Sequence, residues 1–367
     1  MTPMRSTPDT LLLTGATGLL GALAVRRLLA TRPDISVVVL VRDSGRWGRL
    51  ALGADPRVVA VVGDVTRPGL GLHPDARRWL AGEVTAVLHL AADTTFSRPL
   101  PEARAVNTEG TRNLLELAAG WPGVRRFAYV STAFVAGRRT GAIAEGAGED
   151  LGAGWVNGYE QSKAEAERLV RASAGDWVVL RPSTVVCDSA DSGLVTQQNA
   201  VHRALRLYYG GLASMMPSAE GSALDVVPAD YVADAVAELA LRPELAGETL
   251  HLCAGAGAMP LVALLDETYE QWARAEAWRR RAIPRPALTD LETYRLFERA
   301  VEETGDARLR RVTQSLSHFI PQLALPKRFE TARADGFLGR AAPPVRAYWG
   351  RMVAQLLSRR APEEAAA

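Results

Sequence analysis

A tyrosine and a lysine lie four residues apart in the stretch NGYEQSKAEAERLV, which spans residues 157–170. Residues at this spacing share one face of a helix, so the Tyr159 hydroxyl and the Lys163 ammonium can serve one site. A tyrosine in water has a pKa of about 10, too high for efficient proton exchange at neutral pH. A neighbouring ammonium lowers that pKa because it favours the phenolate. The pair predicts a proton donor with its tuning cation, although an ordinary surface contact would show the same spacing.

Lysine is rare in this chain, which adds weight to the pair. Lys163 and Lys327 are the only lysines among 43 basic residues, and all the others are arginine. Arginine cannot replace lysine where a compact ammonium of adjustable pKa is required. We therefore attribute the Tyr-x-x-x-Lys spacing to chemistry rather than to chance.

Two hydroxyl residues, Ser131 and Thr132, close the apolar run FAYVST some way before Tyr159. The Thr132 hydroxyl is predicted to hold a carbonyl oxygen while Tyr159 supplies the proton. Taken alone, Thr132 would more simply satisfy backbone groups at a strand end. Taken together with Tyr159 and Lys163, it can polarise a C=O group for hydride delivery, and Lys163 can also hydrogen-bond the ribose of a nicotinamide cofactor.

A glycine-rich turn near the N-terminus predicts where such a cofactor binds. The apolar run TLLLT is followed by GATGLLG and then by the helical pattern ALAVRRLLATRP. A strand, a glycine turn and a helix in this order bring backbone amides to a pyrophosphate, whose charge the helix N-terminus stabilises. A plain tight turn is the alternative. The predicted cofactor contacts in this turn are Gly15, Thr17, Gly18, Leu19, Leu20 and Gly21.

The end of the second apolar run, ISVVVLVR, bears on which nicotinamide cofactor binds. An acidic residue at this place would hydrogen-bond a ribose 2′-hydroxyl, whereas an arginine would accommodate a 2′-phosphate. Arg42 occupies the place and Arg49 follows one short segment later, so we expect NADPH. The adjacent Asp43 keeps NADH as an alternative.

Further apolar runs alternate with helical patterns as far as residue 189. The runs RVVAVVGDV, VTAVLHLAA, RRFAYVST and VVLRPSTVV are typical of buried strands, which predicts a Rossmann-type α/β fold with a doubly wound parallel sheet. Ligands of such sheets bind beyond the carboxyl ends of the strands. The remaining predicted cofactor contacts are Asp64, Val65, Ala91, Ala92, Pro182 and Ser183, together with Lys163.

The pattern changes after residue 189 and predicts a smaller, mostly helical C-terminal lobe that binds the substrate. The expected boundaries are 8–189 for the cofactor-binding domain, with 223–256 returning to it, 190–222 and 257–360 for the substrate-binding lobe, and 361–367 for a flexible tail.

Several side chains of this second half have an ambiguous role. The pairs Tyr208-Tyr209 and Met215-Met216 could line a substrate channel, since methionine adapts to varied apolar shapes. Core packing is the commoner role of aromatic residues at helical spacing, and we favour it for most of them. The histidines His202, His251 and His318 are isolated and show no metal-ligand spacing, so no metal is assigned.

The composition points away from several classes of protein. The chain has 367 residues, 48% of them hydrophobic, and its net charge of +2 does not indicate a basic surface for nucleic acid. No apolar run approaches the roughly 20 residues of a membrane span, and the stretch MTPMRSTPDT lacks the apolar core of a signal peptide. Two cysteines fit a reducing compartment, so we expect a cytoplasmic protein whose oligomeric state is open.

Several stretches of the chain resemble the extended short-chain dehydrogenase/reductase superfamily, and within it thioester reductase domains and fatty acyl-CoA reductases. The glycine turn, Asp64, Thr132 and the Tyr159-Lys163 pair carry the first resemblance. The resemblance to thioester reductase domains and fatty acyl-CoA reductases lies in the stretches GDVTRPGLGL, HLAADTTFSRPLPEARAVNTEGTRNLLELA, VSTAFVAG, LRPSTVVCDSADSG and LDVVPADYVADAV. In this alignment the catalytic Ser/Thr falls on Thr132 rather than Ser131. Asn107 matches an asparagine that helps organise the active site, although a helix cap is its simpler role.

This resemblance implies NADPH-dependent reduction of an acyl thioester. Hydride would attack the thioester carbon while Thr132 and Tyr159 stabilise and protonate the oxygen; loss of thiol would give an aldehyde, and a second hydride an alcohol. The substrate would arrive as a CoA ester or on a separate carrier protein, and the arginine-rich stretch 274–281 could meet a CoA phosphate or an acidic carrier surface. Cys187 need not be a nucleophile, because no covalent acyl-enzyme is required.

Two other functions remain open at the level of sequence. The same threonine, tyrosine and lysine on a tightly bound NAD would suit an epimerase or dehydratase of nucleotide sugars, although Arg42 argues against NAD. A non-catalytic NADPH-binding regulatory protein would keep the cofactor platform without turnover, although the intact Thr132, Tyr159 and Lys163 argue against such a loss.

Overall fold

A seven-stranded parallel sheet forms the centre of the computed structural model, which describes residues 9–48, 51–146 and 153–358. The strands are β1 Thr10–Thr14, β2 Ser36–Val41, β3 Val58–Val62, β4 Ala86–His89, β5 Arg126–Val130, β6 Gly141–Ile143, β7 Asp176–Pro182, β8 Thr184–Cys187, β9 Met215–Pro217, β10 Ala223–Leu224, β11 Val226–Pro228, β12 Glu248–Leu252, β13 Met259–Pro260, β14 Ala287–Thr289 and β15 Lys327–Phe329. The order across the sheet is β12-β7-β5-β4-β1-β2-β3, and every pairing in it is parallel.

Both faces of the sheet are buried, which explains the uninterrupted apolar runs in the sequence. In β1, Leu11 and Leu13 face one apolar cluster, whereas Leu12 between them faces another. Successive residues of a strand point to opposite faces, so a strand covered on both sides needs an apolar residue at every position.

Helices cover the two faces of the sheet and complete the doubly wound arrangement. They are α1 Leu19–Thr31, α2 Ser44–Gly48, α3 Pro74–Glu83, α4 Leu100–Ala119, α5 Gly158–Ala172, α6 Ala200–Tyr209, α7 Ala229–Leu239, α8 Leu261–Ala273, α9 Glu276–Arg279, α10 Leu291–Thr304, α11 Ala307–Leu316, α12 Ile320–Leu323, α13 Ala332–Leu338 and α14 Trp349–Ser358. Helices α1 and α7 pack on the face of Leu11, and α3, α4 and α5 pack on the face of Leu12. The predicted fold class is confirmed.

Two details of these elements are not evident from the sequence pattern alone. Helix α4 begins at Leu100 and includes a proline in its first turn, where a proline has no intrahelical hydrogen bond to lose. Residues 223–228 do not rejoin the main sheet as a strand. They form β10, which pairs antiparallel with β13, and β11, which pairs with β8.

The C-terminal part of the described chain consists mainly of α8 to α14 and packs on the edge of the sheet's core. The Tyr348 hydroxyl donates to the Val226 carbonyl at 2.7 Å, and the Trp349 indole nitrogen donates to the Thr268 hydroxyl at 2.8 Å. The predicted flexible tail at 361–367 lies outside the described residues. Among the described residues, no helix is long and apolar enough to cross a lipid bilayer.

Candidate active site

A cavity of about 710 Å³ opens at the carboxyl edge of the main sheet. Thr132 and Tyr159 lie in its wall, next to residues that follow β1, β2, β3, β4 and β7. Every described residue that was expected to contact the cofactor also lines it: Gly15, Thr17, Gly18, Leu19, Leu20, Gly21, Arg42, Asp64, Val65, Ala91, Ala92, Lys163, Pro182 and Ser183.

The glycine turn after β1 lines the cavity and has no room for side chains. Gly15 has φ +81°, and a Cβ there would lie 2.8 Å from the Ala91 backbone nitrogen. A Cβ on Gly21 would lie 2.2 Å from the Gly15 carbonyl oxygen, so the start of α1 packs directly on the turn. Helix α1 begins after Gly18, whose position provides no side-chain cap for the first amides. This arrangement fits a dinucleotide pyrophosphate, which binds backbone amides at a helix N-terminus.

The end of β2 presents an arginine and not a carboxylate to the cavity. Arg42 is exposed and lines the cavity. Asp43 is absent from the cavity lining among the described residues, and its carboxylate accepts a hydrogen bond from the Gly45 amide at 2.8 Å. The other predicted arginine, Arg49, lies outside the described residues.

Asp64 lies beyond the end of β3 with its carboxylate held in place. The amide and the hydroxyl of Thr66 each donate to Asp64 Oδ1 at 2.9 Å. Burial opposes ionisation of Asp64, but these hydrogen bonds and the charges of Arg42 and Arg67 outweigh it, so its pKa lies below the ordinary value. The carboxylate is therefore an ionised acceptor at neutral pH.

The two hydroxyl residues predicted from the sequence to react both line the cavity beside the end of β5. Tyr159 and Thr132 are 7% and 4% exposed and both line the cavity, and the Thr132 hydroxyl is near enough to Tyr159 to influence its pKa. Asn157 caps α5 by accepting from the Glu160 amide at 3.0 Å, which places Tyr159 in the first turn. Thr132 Oγ1 also accepts from the Phe134 amide at 3.2 Å, so its hydroxyl has a fixed position.

The expectation that Lys163 lowers the pKa of Tyr159 is wrong for this structure. Burial raises the pKa of Tyr159 to about 12, and the nearby Thr132 hydroxyl only partly opposes that rise. Burial also lowers the pKa of Lys163 to about 7, against the charge of Glu167. Desolvation disfavours the charged form of each group and is the largest influence on both pKa values.

Lys163 is fixed in the cavity wall by contacts other than Tyr159. Its Nζ donates to the Val130 carbonyl at 2.8 Å and lies 4.1 Å from the centre of the Tyr129 ring. An ammonium has three N–H donors, and this backbone contact uses one. Since Lys163 lines the cavity, its remaining hydrogen-bonding capacity can serve a ligand there.

Asn107 lies one layer behind the cavity and is not a helix cap. Its Oδ1 accepts from the Asp93 amide at 2.8 Å, and its Nδ2 donates to the Asp93 carbonyl at 3.0 Å and to Ser162 Oγ at 2.9 Å. Asn107 therefore joins the loop after β4 to the catalytic face of α5. Its geometry is that of a positioning residue, since it is absent from the cavity lining.

Sequence analysis missed the loop that follows Ala92. Phe96 stacks on Tyr159 with ring centres 5.3 Å apart and meets Phe134 edge-on at 5.7 Å. Asp93 pairs with Arg98 at 2.7 Å and so closes the loop on itself. The sequence feature that could have identified this loop is its position just after β4, a strand whose end faces the cavity.

The proposed channel residues do not lie in this cavity. Tyr208 and Tyr209 contact Trp272 edge-on, each with ring centres 5.2 Å apart, and both therefore belong to the packing of the C-terminal part. Met215 and Met216 are likewise absent from the lining among the described residues. Cys187 does line the cavity, but burial raises the pKa of its thiol to about 12, which disfavours the nucleophilic thiolate.

The chain matches known proteins over most of its described length. The model of the male sterility protein family matches residues 13–236. Fatty acyl-CoA reductase 2 of Arabidopsis thaliana is 26% identical over 306 residues, covering 61% of this chain and 49% of that protein. A nonribosomal peptide synthetase of Aspergillus flavus is 30% identical over 266 residues, covering 65% of this chain and 26% of that protein. The chain thus spans half or less of these curated relatives.

Solved structures of reductase domains are also similar to this chain. The terminal R domain from the myxalamid PKS-NRPS biosynthetic pathway has a TM-score of 0.76 and 28% identity, covering 98% of this chain and 94% of that one. The reductase domain of a nonribosomal peptide synthetase from Mycobacterium tuberculosis has a TM-score of 0.69 and 25% identity, covering 95% and 92%. The resemblance to thioester reductase domains and fatty acyl-CoA reductases is confirmed.

Proposed function

The chain belongs to the male sterility protein family, and on that premise we propose that it uses NADPH to reduce an acyl thioester to an aldehyde. The thioester would be a CoA ester or an acyl chain on a separate carrier protein. Relatives named as a fatty acyl-CoA reductase and as peptide synthetases support this substrate class.

One observation carries the proposal. A single cavity has a glycine turn and a helix N-terminus after β1 and the hydroxyl residues Thr132 and Tyr159 beside the end of β5, with Lys163 in its wall. Such a cavity can hold a dinucleotide along its length and a carbonyl group against two hydroxyl donors.

The residues of this chain then have distinct tasks in the reaction. When bound, the reduced nicotinamide supplies the hydride to the thioester carbon. The Thr132 and Tyr159 hydroxyls donate hydrogen bonds to the carbonyl oxygen as negative charge develops on it. Tyr159 is a neutral phenol at pH 7, which is the form that can give its proton to that oxygen. Lys163, which lines the cavity and uses one of its N–H donors on the Val130 carbonyl, would donate to the ribose of the cofactor.

The product follows from the chemistry of the thioester. Addition of hydride to the carbon and of the Tyr159 proton to the oxygen gives a hemithioacetal. Breakage of its C–S bond releases the thiol and leaves an aldehyde, and a second round of hydride and proton addition would give an alcohol. None of these steps needs a covalent bond to the chain, in agreement with the unreactive thiol of Cys187.

Arg42 supports NADPH rather than NADH as the cofactor. It lines the cavity at the end of β2, where a ribose 2′-phosphate would lie, and its guanidinium can bind a phosphate through two parallel hydrogen bonds. The carboxylate of Asp43, the group that would favour NADH, is already engaged by the Gly45 amide.

The arginine-rich stretch 274–281 is the proposed contact for the rest of the substrate. Arg279 ends the short helix α9 and Arg280 directly follows it; both are exposed, and Arg280 pairs with Glu276. Exposed guanidinium groups suit a CoA phosphate or an acidic carrier surface.

The proposal is tested by NADPH oxidation with a panel of acyl-CoA and acyl-pantetheine thioesters, with the products separated as aldehyde or alcohol. We expect Tyr159→Phe to lower kcat by about 100-fold or more, because it removes the general acid. The matched control is Tyr269→Phe, which should leave kcat unchanged because its ring contacts with Trp278 and Arg285 remain. Oxidation of NADPH with none of the thioesters, or equal activity of both variants, would refute the proposal.

A further inference from the structure

A segment of the C-terminal part, residues 318–327, reaches the first turn of α5, where Tyr159 lies. The Asn157 side chain donates to the His318 carbonyl at 3.1 Å. The Phe319 ring lies 6.3 Å from the ring of Phe96, which stacks on Tyr159. The surroundings of Tyr159 are therefore built from two distant parts of the chain.

The strongest contact of this segment is a buried polar chain. Lys327 Nζ donates to Gln322 Oε1 at 2.6 Å, and Gln322 Nε2 donates to Glu160 Oε1 at 2.5 Å. Lys327 is one of the chain's two lysines, and Glu160 directly follows Tyr159. The chain of hydrogen bonds thus runs from strand β15 to the residue beside the predicted proton donor.

Glu160 uses its remaining acceptor capacity to close the first turn of α5. Its Oε2 accepts from the Val156 amide at 2.9 Å, and its Oε1 accepts from Asn157 Nδ2 at 3.0 Å. These bonds join the entry to the helix with its first turn, in the manner of a capping box. The orientation of the first turn therefore depends on where the Glu160 carboxylate is held.

The hydrogen-bonded chain of Lys327, Gln322 and Glu160 is buried. Glu160, Gln322 and Lys327 are 0%, 8% and 9% exposed. Burial raises the pKa of Glu160 to about 7 and lowers that of Lys327 to about 8, with Arg138 and Arg139 as the other charged groups nearby. Buried ionic groups are often less stabilising than apolar packing, so their presence points to a need for a specific geometry.

We infer that Lys327 and Gln322 are positioning residues, which orient the Tyr159 hydroxyl by holding the Glu160 carboxylate at the start of α5. This inference rests on the proposed reduction, in which Tyr159 gives up its proton. Neither Lys327 nor Gln322 is among the described residues that line the cavity, so both act through α5 and not on the substrate. Lysine suits the position because an arginine would bring five N–H donors to a buried place with few acceptors.

The test is Lys327→Met, compared with Arg328→Met, which removes a positive charge from the exposed neighbour on the same strand. We expect Lys327→Met to lower kcat by about 10- to 100-fold, because a small displacement of a catalytic group is sufficient for such a loss. The dissociation constant for NADPH and the KM for the thioester should stay within about twofold, since the cavity lining is unchanged. The Arg328→Met variant should match the natural chain in all three quantities.

A second variant covers the case in which Lys327→Met does not fold. Glu160→Gln keeps the shape of the side chain and removes its charge, and it should lower kcat in the same way. The double variant Glu160→Gln/Lys327→Met should lose no more activity than the less active single variant. The reason is that Lys327 acts through Gln322 on the Glu160 carboxylate. Losses that multiply, or a kcat equal to that of the natural chain in both single variants, would overturn the inference.

A measurement without substrate separates this inference from the proposed function. In protein labelled with ¹³C at the tyrosine Cζ atoms, Tyr159→Phe identifies the Tyr159 resonance. Lys327→Met should shift that resonance, and Arg328→Met should not. A shift in a protein that reduces no thioester would support the positioning role and reject the substrate class, whereas an unmoved resonance would reject the positioning role.

Discussion

At the scale of single residues, burial determines the chemistry of the candidate site. The sequence predicted that Thr132, Tyr159 and Lys163 lie in one site, and all three line the cavity. This was predictable because strand ends and helix faces can be recognised from apolar patterns. The sequence could not give the protonation states, because these depend on how much of each side chain the rest of the chain covers. Burial raises the pKa of Tyr159 to about 12, so the side chain is a neutral phenol that holds its proton at pH 7.

The first prediction concerns the pH dependence of the reaction. Lys163 is a cation below its pKa, which burial lowers to about 7. We expect kcat/KM to fall as the pH rises through about 7, because the ammonium that would hold the ribose then loses its proton and its charge. Lys163→Arg should be less active but should lack this decrease, since a guanidinium stays charged. The same decrease in the arginine variant would assign it to another group.

The second prediction concerns Arg42 and the choice of cofactor. Arg42→Ala should raise the KM for NADPH by about tenfold or more, because a charge-assisted contact contributes about 1.5–3 kcal/mol. The KM for NADH should change little, since NADH has no 2′-phosphate. Arg26→Ala, an exposed arginine on α1 that is absent from the cavity lining, is the control. Equal effects on both cofactors would show that Arg42 does not read the 2′-phosphate.

At the scale of elements, the glycine turn is a part of the site that cannot accommodate added side-chain atoms. Gly15 and Gly21 are in contact through backbone atoms, so the turn and the start of α1 form one rigid unit. The order of strand, turn and helix was predictable from the sequence, because each has a distinct local pattern. The pairing of β10 with β13 and of β11 with β8 was not, because short strands leave little pattern and their partners lie far along the chain.

The third prediction tests this turn with a pair of glycine variants. Gly21→Ala should destabilise the protein by about 1–3 kcal/mol and weaken NADPH binding, because its Cβ would lie 2.2 Å from the Gly15 carbonyl oxygen. Gly82→Ala, in the exposed helix α3 with no atom within 4 Å of the added Cβ, should stabilise by about 0.5–1 kcal/mol. Thermal unfolding and NADPH titration measure both effects. Similar stabilities for the two variants would mean that the turn can open.

At the scale of the whole molecule, buried polar contacts join α5 to the sheet and to the C-terminal part. Arg181 in β7 donates to Glu167 in α5 at 2.9 and 2.6 Å, and the two side chains are 3% and 1% exposed. Sequence patterns give no register between elements so far apart, so these contacts could not be predicted. The same is true of the contact between residues 318–327 and the start of α5.

The fourth prediction measures how much the buried pair contributes to stability. Arg181→Met should lower the free energy of unfolding by about 3–5 kcal/mol, because it leaves the Glu167 carboxylate buried without this partner. Arg112→Met breaks an exposed pair with Glu109 and should have little effect. Denaturant unfolding of both variants gives the comparison. A small loss in Arg181→Met would show that Arg171 and Ser131, which also interact with Glu167, suffice to hold it.

The most direct test of the account is the structure of this chain with NADP⁺ and a thioester analogue that cannot be reduced. The account predicts that the dinucleotide lies along the cavity, with its pyrophosphate on the glycine turn and its ribose on Lys163. The carbonyl oxygen of the analogue should lie within hydrogen-bond distance of both the Thr132 and the Tyr159 hydroxyls. A dinucleotide bound elsewhere, or a carbonyl oxygen out of reach of both hydroxyls, would contradict it.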